Sequence, residues 1–208
     1  MTYDHQDYST TLPDVSLKIH TVPVSLRRHL YMFKTITGVF SYKKLDLGTK
    51  VLVDHMIIPD KPSMLLDLGC GYGVIGIVLA YESPFSSVHF IDVNKRAIWC
   101  TRENVRLNLP NNKGKYRIYT GNYFKPIEET KVMFDAIYMN PPLRKGRKEF
   151  LDLFKSLPNY LKPNGSFQFV IKKKMGAEYV YKYLLDLFSD DKINVLCKRS
   201  GYWLFHYY

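Results

Sequence analysis

The chain has 208 residues, 46% of them hydrophobic, with 30 Lys and Arg against 19 Asp and Glu, a formal net charge of +11. That is enough apolar chain for one domain with a modest extension, and it excludes both a disordered polypeptide and a multi-domain machine. The longest apolar run, Val74 to Tyr81, falls far short of the roughly 20 residues that cross a bilayer, so no membrane span is expected. Three cysteines with no CxxC spacing, and an N-terminus without the basic start and apolar stretch of a secretory leader, point to a cytoplasmic setting and to no metal site. The positive charge is gathered in short clusters, Arg27-Arg28, Lys43-Lys44, Arg144-Lys145 with Arg147-Lys148, Lys172 to Lys174, and Lys198-Arg199, a pattern that suits a polyanionic partner.

Residues 1–60 predict a hairpin with strands at 17–22 and 30–35, then an amphipathic helix at 46–57 that stops before Pro59. This segment is too short to stand alone. It is expected to pack on the sheet of the remaining domain, 61–208, and to line its site. From Met64 onward, apolar β-rich runs at 64–68, 88–92, 116–120, 134–139, 165–171, 193–198 and 202–207 alternate with helical periodicity at 74–81, 95–108, 148–161 and 177–188. Pro84, Pro110, Pro163 and Gly165 serve as stop signals. The pattern predicts a doubly wound α/β sheet of seven strands. Only Ser200-Gly201 separates the last two, a hairpin signal that makes the final strand antiparallel.

The most informative stretch is Asp67-Leu-Gly69-Cys-Gly71-Tyr-Gly73, between the first strand of that sheet and an apolar helix. Alternating glycines there let the backbone bend sharply and approach a ligand closely. Gly71 to Gly76 also satisfies GxGxxG, the dinucleotide fingerprint. Asp67, two residues before the first glycine, would repel a pyrophosphate but can accept from a cationic amino group, which suits the aminoacyl part of S-adenosylmethionine. Asp92 closes the next strand nineteen residues after Gly73, where an acid can take both ribose hydroxyls of an adenosine. Both acids also fit plain capping or turn roles.

The apolar run 134–139 delivers Asn140-Pro141-Pro142-Leu143 to the carboxyl edge of the sheet beside that loop. Two prolines stiffen the segment, so the Asn140 side chain and the Pro141 carbonyl become preset acceptors for an NH₂ group. Holding both hydrogens of a planar amine localises its lone pair and aims it at an electrophilic methyl. A rigid surface turn is the simpler alternative.

On these residues the chain resembles the class I S-adenosylmethionine-dependent methyltransferases, and among them the small-domain ribosomal RNA guanine-N2 methyltransferases. The resemblance covers 30–207 through Thr37-Gly-Val-Phe40-Ser41, Leu45-Asp46-Leu-Gly48-Thr49, the Asp67 to Gly76 loop, Asp92-Val-Asn94, Asn140 to Leu143 with Gly146, and Ser200-Gly-Tyr202. It implies a Rossmann-like seven-stranded methyltransferase sheet with an antiparallel last strand, plus the N-terminal hairpin and helix. It also implies S-adenosyl-L-methionine as donor and methyl transfer to an exocyclic amine of a base in RNA, with guanine N2 of ribosomal RNA as the first expectation. By the same resemblance Phe40, Ser41, Asp46 and Thr49 line the cofactor pocket, Asp67 with Gly69, Cys70, Gly71 and Gly73 seats the aminoacyl end, and Asp92 with Val93 takes the ribose. Asn122 replaces the acid that the family usually presents to the adenine amine, and its carbonyl can still accept. Asp46 and Thr49 also fit simple capping of a short helix.

Asn140, Pro141, Pro142 and Leu143 form the expected catalytic loop. Arg144, Lys145, Arg147 and Lys148 follow it directly and are the expected RNA contacts, with Lys172 to Lys174 extending the track. Arg27-Arg28 reads as a solvated hairpin turn, Tyr72 and Phe124 as candidates for base stacking, and Trp99 and Trp203 as core. Other readings are protein glutamine or DNA adenine methylation, disfavoured by Leu143 where those enzymes often carry an aromatic residue, a nicotinamide-dependent oxidoreductase built on GxGxxG, and an RNA-binding module without catalysis.

Overall fold

The computed structural model describes residues 16–110, 115–143, 148–188 and 192–208. β1 (Ile19–Leu26) and β2 (His29–Ile36) form an antiparallel ribbon. Arg27 and Arg28 make its two-residue turn at φ 46° and 64°, the left-handed pair whose twist matches that of the strands. The ribbon is longer than the pattern predicts because Pro23 lies inside β1, opposite Met32; a strand with only one neighbour tolerates a residue without an N–H. α1 (Leu47–His55) follows, with Asp46 as its N-cap. Arg27 is not a solvated turn residue: Nε donates to the Val53 carbonyl at 2.7 Å and Nη2 to the Met56 carbonyl at 2.6 Å. It satisfies carbonyls that the end of α1 would otherwise leave unpaired.

The remaining elements are β3 (Met64–Leu68), α2 (Val74–Glu82), β4 (Ser87–Asp92), α3 (Lys95–Asn108), β5 (Tyr116–Thr120), β6 (Phe134–Met139), α4 (Lys148–Ser156), β7 (Leu161–Lys172), α5 (Ala177–Leu187), β8 (Ile193–Arg199) and β9 (Tyr202–Tyr207). They build a seven-stranded sheet in the order β5-β4-β3-β6-β7-β9-β8. β9 alone runs against its neighbours, and Ser200 and Gly201 turn into it at φ 50° and 76°. Alternate strand residues face opposite ways: Leu65, Phe90 and Tyr138 join one buried cluster with α1, α2, α3 and the ribbon, and Leu66, Ile91 and Phe169 join a second with α4 and α5. Among the described residues, no helix is long and apolar enough to cross a membrane.

Two expectations need correction. The helix predicted over 148–161 ends at Ser156, because Pro158 cannot donate within a helix; a 3₁₀ turn over Leu157–Asn159 follows, and β7 starts at Leu161. Trp99 is 41% exposed and Trp203 is half-buried; α3 buries Ala97, Ile98, Thr101 and Asn104 instead. Within the N-terminal segment, α1 packs against β7 and β9 of the sheet and the ribbon docks on α3. Asn104 exchanges hydrogen bonds with the Lys34 backbone (2.6 and 2.9 Å), and Asn108 with that of Met32 (3.1 and 3.0 Å). Four helical residues rise about 6 Å and two strand residues about 6.6 Å, so these side-chain amides match the edge of β2 as a further strand would. Past its C-terminus, α1 is pinned where the Ile57 backbone pairs with the buried Gln168 side chain on β7 at 2.8 Å both ways, and Tyr138 Oη donates to the Ile57 carbonyl at 2.7 Å.

Candidate active site

β3 and β6 are hydrogen-bonded neighbours, and the strand order reverses between them. The loops that leave their carboxyl ends diverge there and open a crevice. After β3, the N–H groups of Gly69 and Cys70 both donate to the Ile91 carbonyl (2.8 and 2.9 Å), and Gly71 N–H donates to Asp92 Oδ2 at 2.8 Å. Gly69, Gly71 and Gly73 hold φ of 73°, 58° and 91°. A side chain at Gly71 would meet nothing within 4 Å, and one at Gly69 only Met139 Cε at 3.9 Å. Backbone conformation favours glycine at both positions, and the space a Cβ would fill is a cradle open to a ligand. Gly76 differs: a Cβ there would lie 2.2 Å from Phe90 Cε1, so it lets α2 close onto β4. That packing demand accounts for the last glycine of the GxGxxG match.

Two acids underlie the loop. Asp67 is fully buried; its Oδ2 accepts from Gly76 N–H at 2.8 Å, while Oδ1 is buried with no hydrogen-bond partner among the described residues. Burial, with the nearby Asp92 charge adding, pushes its carboxyl up to about 7 against the Gly76 hydrogen bond. An unpaired buried acceptor of this kind fits a cation brought to the cradle. Asp92 accepts from Gly71 N–H and, through Oδ1, from Asn94 N–H at 2.8 Å, and burial pushes it up to about 6. With the Val93 N–H also donating, the carboxylate keeps acceptor capacity for a further donor. Burial also holds the Cys70 thiol well above its ordinary range, so it forms apolar wall and not a nucleophile.

After β6, Asn140 is half-buried at the pocket rim. Its Nδ2 donates to Asp46 Oδ2 at 2.8 Å and to Thr49 Oγ1 at 2.9 Å, both at the start of α1. The Pro141 carbonyl accepts from Leu143 N–H at 3.0 Å, which tightens the loop and leaves that oxygen a second lone pair. Leu143 is buried among the side chains under α4. It therefore anchors the loop from below. Pro141 is buried and Pro142 exposed.

The crevice brings together Phe40, Ser41, Asp46, Thr49, Gly69, Cys70, Gly71 and Asn140, joined by Tyr72, Val74 and Ile75. Outside that lining are Asp67, buried beneath the loop; Gly73, which starts α2; Asp92 and Val93 at the end of β4; and Asn122, exposed after β5. Arg144, Lys145 and Arg147 lie outside the described residues, and Lys148 is exposed at the start of α4. Neither proposed stacking residue is free for a base: Tyr72 and Phe124 are each 4% exposed, Tyr72 against Phe33 and Phe124 stacked on Tyr160 at 3.9 Å.

The sequence reading gave Asn94 no role. It caps α3 by accepting from Arg96 N–H and Ala97 N–H, and its Nδ2 donates to the Gly38 carbonyl at 2.8 Å, tying the Gly-Val-Phe-Ser turn to the end of β4 and the start of α3. An Asn just before an amphipathic helix is a legible N-cap; its second bond is not.

A seven-stranded sheet of this order, with one antiparallel strand and a glycine loop at the switch point, is the Rossmann-like methyltransferase fold. The model of the methyltransferase small domain matches residues 30–206, and the chain belongs to that family. This removes the nicotinamide alternative. YbxB of Bacillus subtilis (strain 168), an uncharacterized protein, is 34% identical over 199 residues, covering 96% of each chain. Ribosomal RNA small subunit methyltransferase C of Photorhabdus laumondii subsp. laumondii is 35% identical over 158 residues, 73% of this chain and 43% of that one. The solved T. thermophilus 16S rRNA N2 G1207 methyltransferase, in complex with AdoMet and guanosine, shares the fold at a TM-score of 0.74 and 20% identity, over 93% of this chain and 51% of that one. The chain thus spans about half the length of these two rRNA methyltransferases and nearly all of YbxB.

Proposed function

We propose that this chain binds S-adenosyl-L-methionine in the crevice and methylates an exocyclic amine of a base in ribosomal RNA, guanine N2 first. The observation that carries this is the meeting of an amide acceptor, Asn140, with the glycine cradle at one crevice. The cofactor supplies an electrophilic methyl on a sulfonium. Asp67 Oδ1 answers its ammonium group, the open backbone at Gly69 and Gly71 lets its chain lie close, and Asp92 takes the ribose hydroxyls with its remaining lone pairs. Asn140 Oδ1 and the Pro141 carbonyl accept the two amine hydrogens, which turns the nitrogen lone pair toward the methyl. No strong base is needed, since the nitrogen sheds its proton readily once it is cationic. The names of the ribosomal RNA relatives support RNA as the acceptor, and Lys148 with Arg144, Lys145 and Arg147 provides the phosphate contacts.

Tritiated methyl transfer to total RNA, protein and DNA, followed by nucleoside analysis, tests this. N2-methylguanosine in ribosomal RNA is expected. Label confined to protein or DNA would replace RNA with a glutamine or adenine acceptor.

A further inference from the structure

We infer that Asp46 and Thr49 are positioning residues for Asn140: they fix its amide so that the carbonyl end meets the incoming amine. This rests on the proposed role of Asn140. The two ends of an asparagine amide have nearly the same shape, yet only the oxygen can accept. A catalytic loop that presented Nδ2 would offer a donor to a group that has only hydrogens to give. Here both hydrogens of Nδ2 have acceptors, Asp46 Oδ2 at 2.8 Å and Thr49 Oγ1 at 2.9 Å. Turned over, Oδ1 would face a carboxylate that accepts and, when ionised, cannot donate. The charge of Asp46 therefore selects the productive orientation.

The restraint comes from the body of the fold. Asp46 caps α1 by accepting from Thr49 N–H at 2.9 Å, and α1 is tied down through Arg27, Gln168 and Tyr138. Thr49 stands at the third helical position, where a capping box would carry Glu or Gln. A hydroxyl there accepts from Asn140 Nδ2 at 2.9 Å while its own hydrogen points back to Asp46 Oδ2 at 3.5 Å. Gly48 keeps the space open: a Cβ would come within 2.9 Å of Asp46 Oδ2 and 2.7 Å of the Tyr202 ring. Asp-x-Gly-Thr is thereby accounted for residue by residue as a bracket for an amide 91 to 94 positions away.

The test uses Thr49→Val, which keeps the shape and removes the acceptor, Thr49→Ser, which restores it, and Asp46→Ser, which keeps a helix cap but is too short to reach Asn140. The side-chain amide resonances of Asn140, assigned by their loss in Asn140→Ala, should shift in Thr49→Val and Asp46→Ser and return in Thr49→Ser. In both disrupted variants kcat should fall on the order of tenfold, in excess of any rise in the KM for the methyl donor, whose crevice both residues line, and Thr49→Ser should recover most of the rate. Unmoved amide resonances in Thr49→Val would overturn the inference. So would a raised donor KM at unchanged kcat, which would make these cofactor contacts only. Wild-type protein that methylates no RNA while the resonances still respond would sink the proposed activity and leave the amide restraint standing.

Discussion

In the proposed reaction Asn140 and Asp67 face different demands, one as an acceptor for an incoming amine and the other as a counter-charge for a bound cation. Asn140→Ala should leave S-adenosylhomocysteine affinity within about twofold in calorimetry, while single-turnover methylation falls about a hundredfold, the usual cost of losing one preorganised hydrogen-bonding group. Equal loss of both would mean the residue only shapes the pocket. The acids predict a pH dependence. Asp67 at about 7 and Asp92 at about 6 hold protons more tightly when folded than the unfolded carboxyl near 4 does. Their protonation therefore stabilises the free protein fully below about pH 4, and that contribution is lost as pH rises through 6 to 7. A cation beside Asp67 favours the ionised form. S-adenosylhomocysteine should bind more tightly as pH rises from 6 to 7.5 and release protons, seen as a buffer-dependent heat. Proton release near pH 7 should fall in Asp67→Asn to the smaller share of Asp92, and a heat independent of buffer in the wild type would remove Asp67 from the contact.

Two glycines of one loop separate packing from ligand approach. Gly76→Ala forces a methyl into Phe90 across the α2–β4 contact and should cost about 1–3 kcal/mol of stability. Gly71→Ala meets no neighbour but holds φ 58°, so it should cost about 1–2 kcal/mol in backbone strain and also block the cradle. Denaturation midpoints should fall in both, whereas S-adenosylhomocysteine affinity, measured where each is folded, should fall sharply only in Gly71→Ala. Sequence patterning places these glycines, the seven sheet strands and the crevice, because alternation and punctuation are local signals. It misses the docking of the ribbon, since Asn104 and Asn108 look like any polar helix residues until β2 lies beside them. It misses the early end of α4, because the apolar spacing runs on past Pro158. Nor does the spacing of Asp46, Thr49 and Asn140 reveal that they meet; strand order creates that contact.

Over the whole molecule, the charge of +11 must be divided between structural and binding roles. Arg27 is committed to carbonyls at the end of α1, whereas the surface pairs of Lys162 with Asp135 at 2.7 Å and Lys155 with Asp152 at 2.6 Å are already offset in the net count. Arg144, Lys145, Arg147 and Lys148 follow the Asn140 loop directly in the chain, and phosphates held there would flank the target base. Four phosphate contacts to a single strand imply a log–log salt slope of about −3 and roughly fiftyfold weaker RNA binding between about 50 and 200 mM salt. Changing all four to alanine should flatten that slope and weaken RNA binding, yet leave S-adenosylhomocysteine affinity where it was. A slope unchanged in that variant would move the RNA surface elsewhere, to Lys172, Lys173 and Lys174 at the end of β7, which the same titration with those three replaced would then read out.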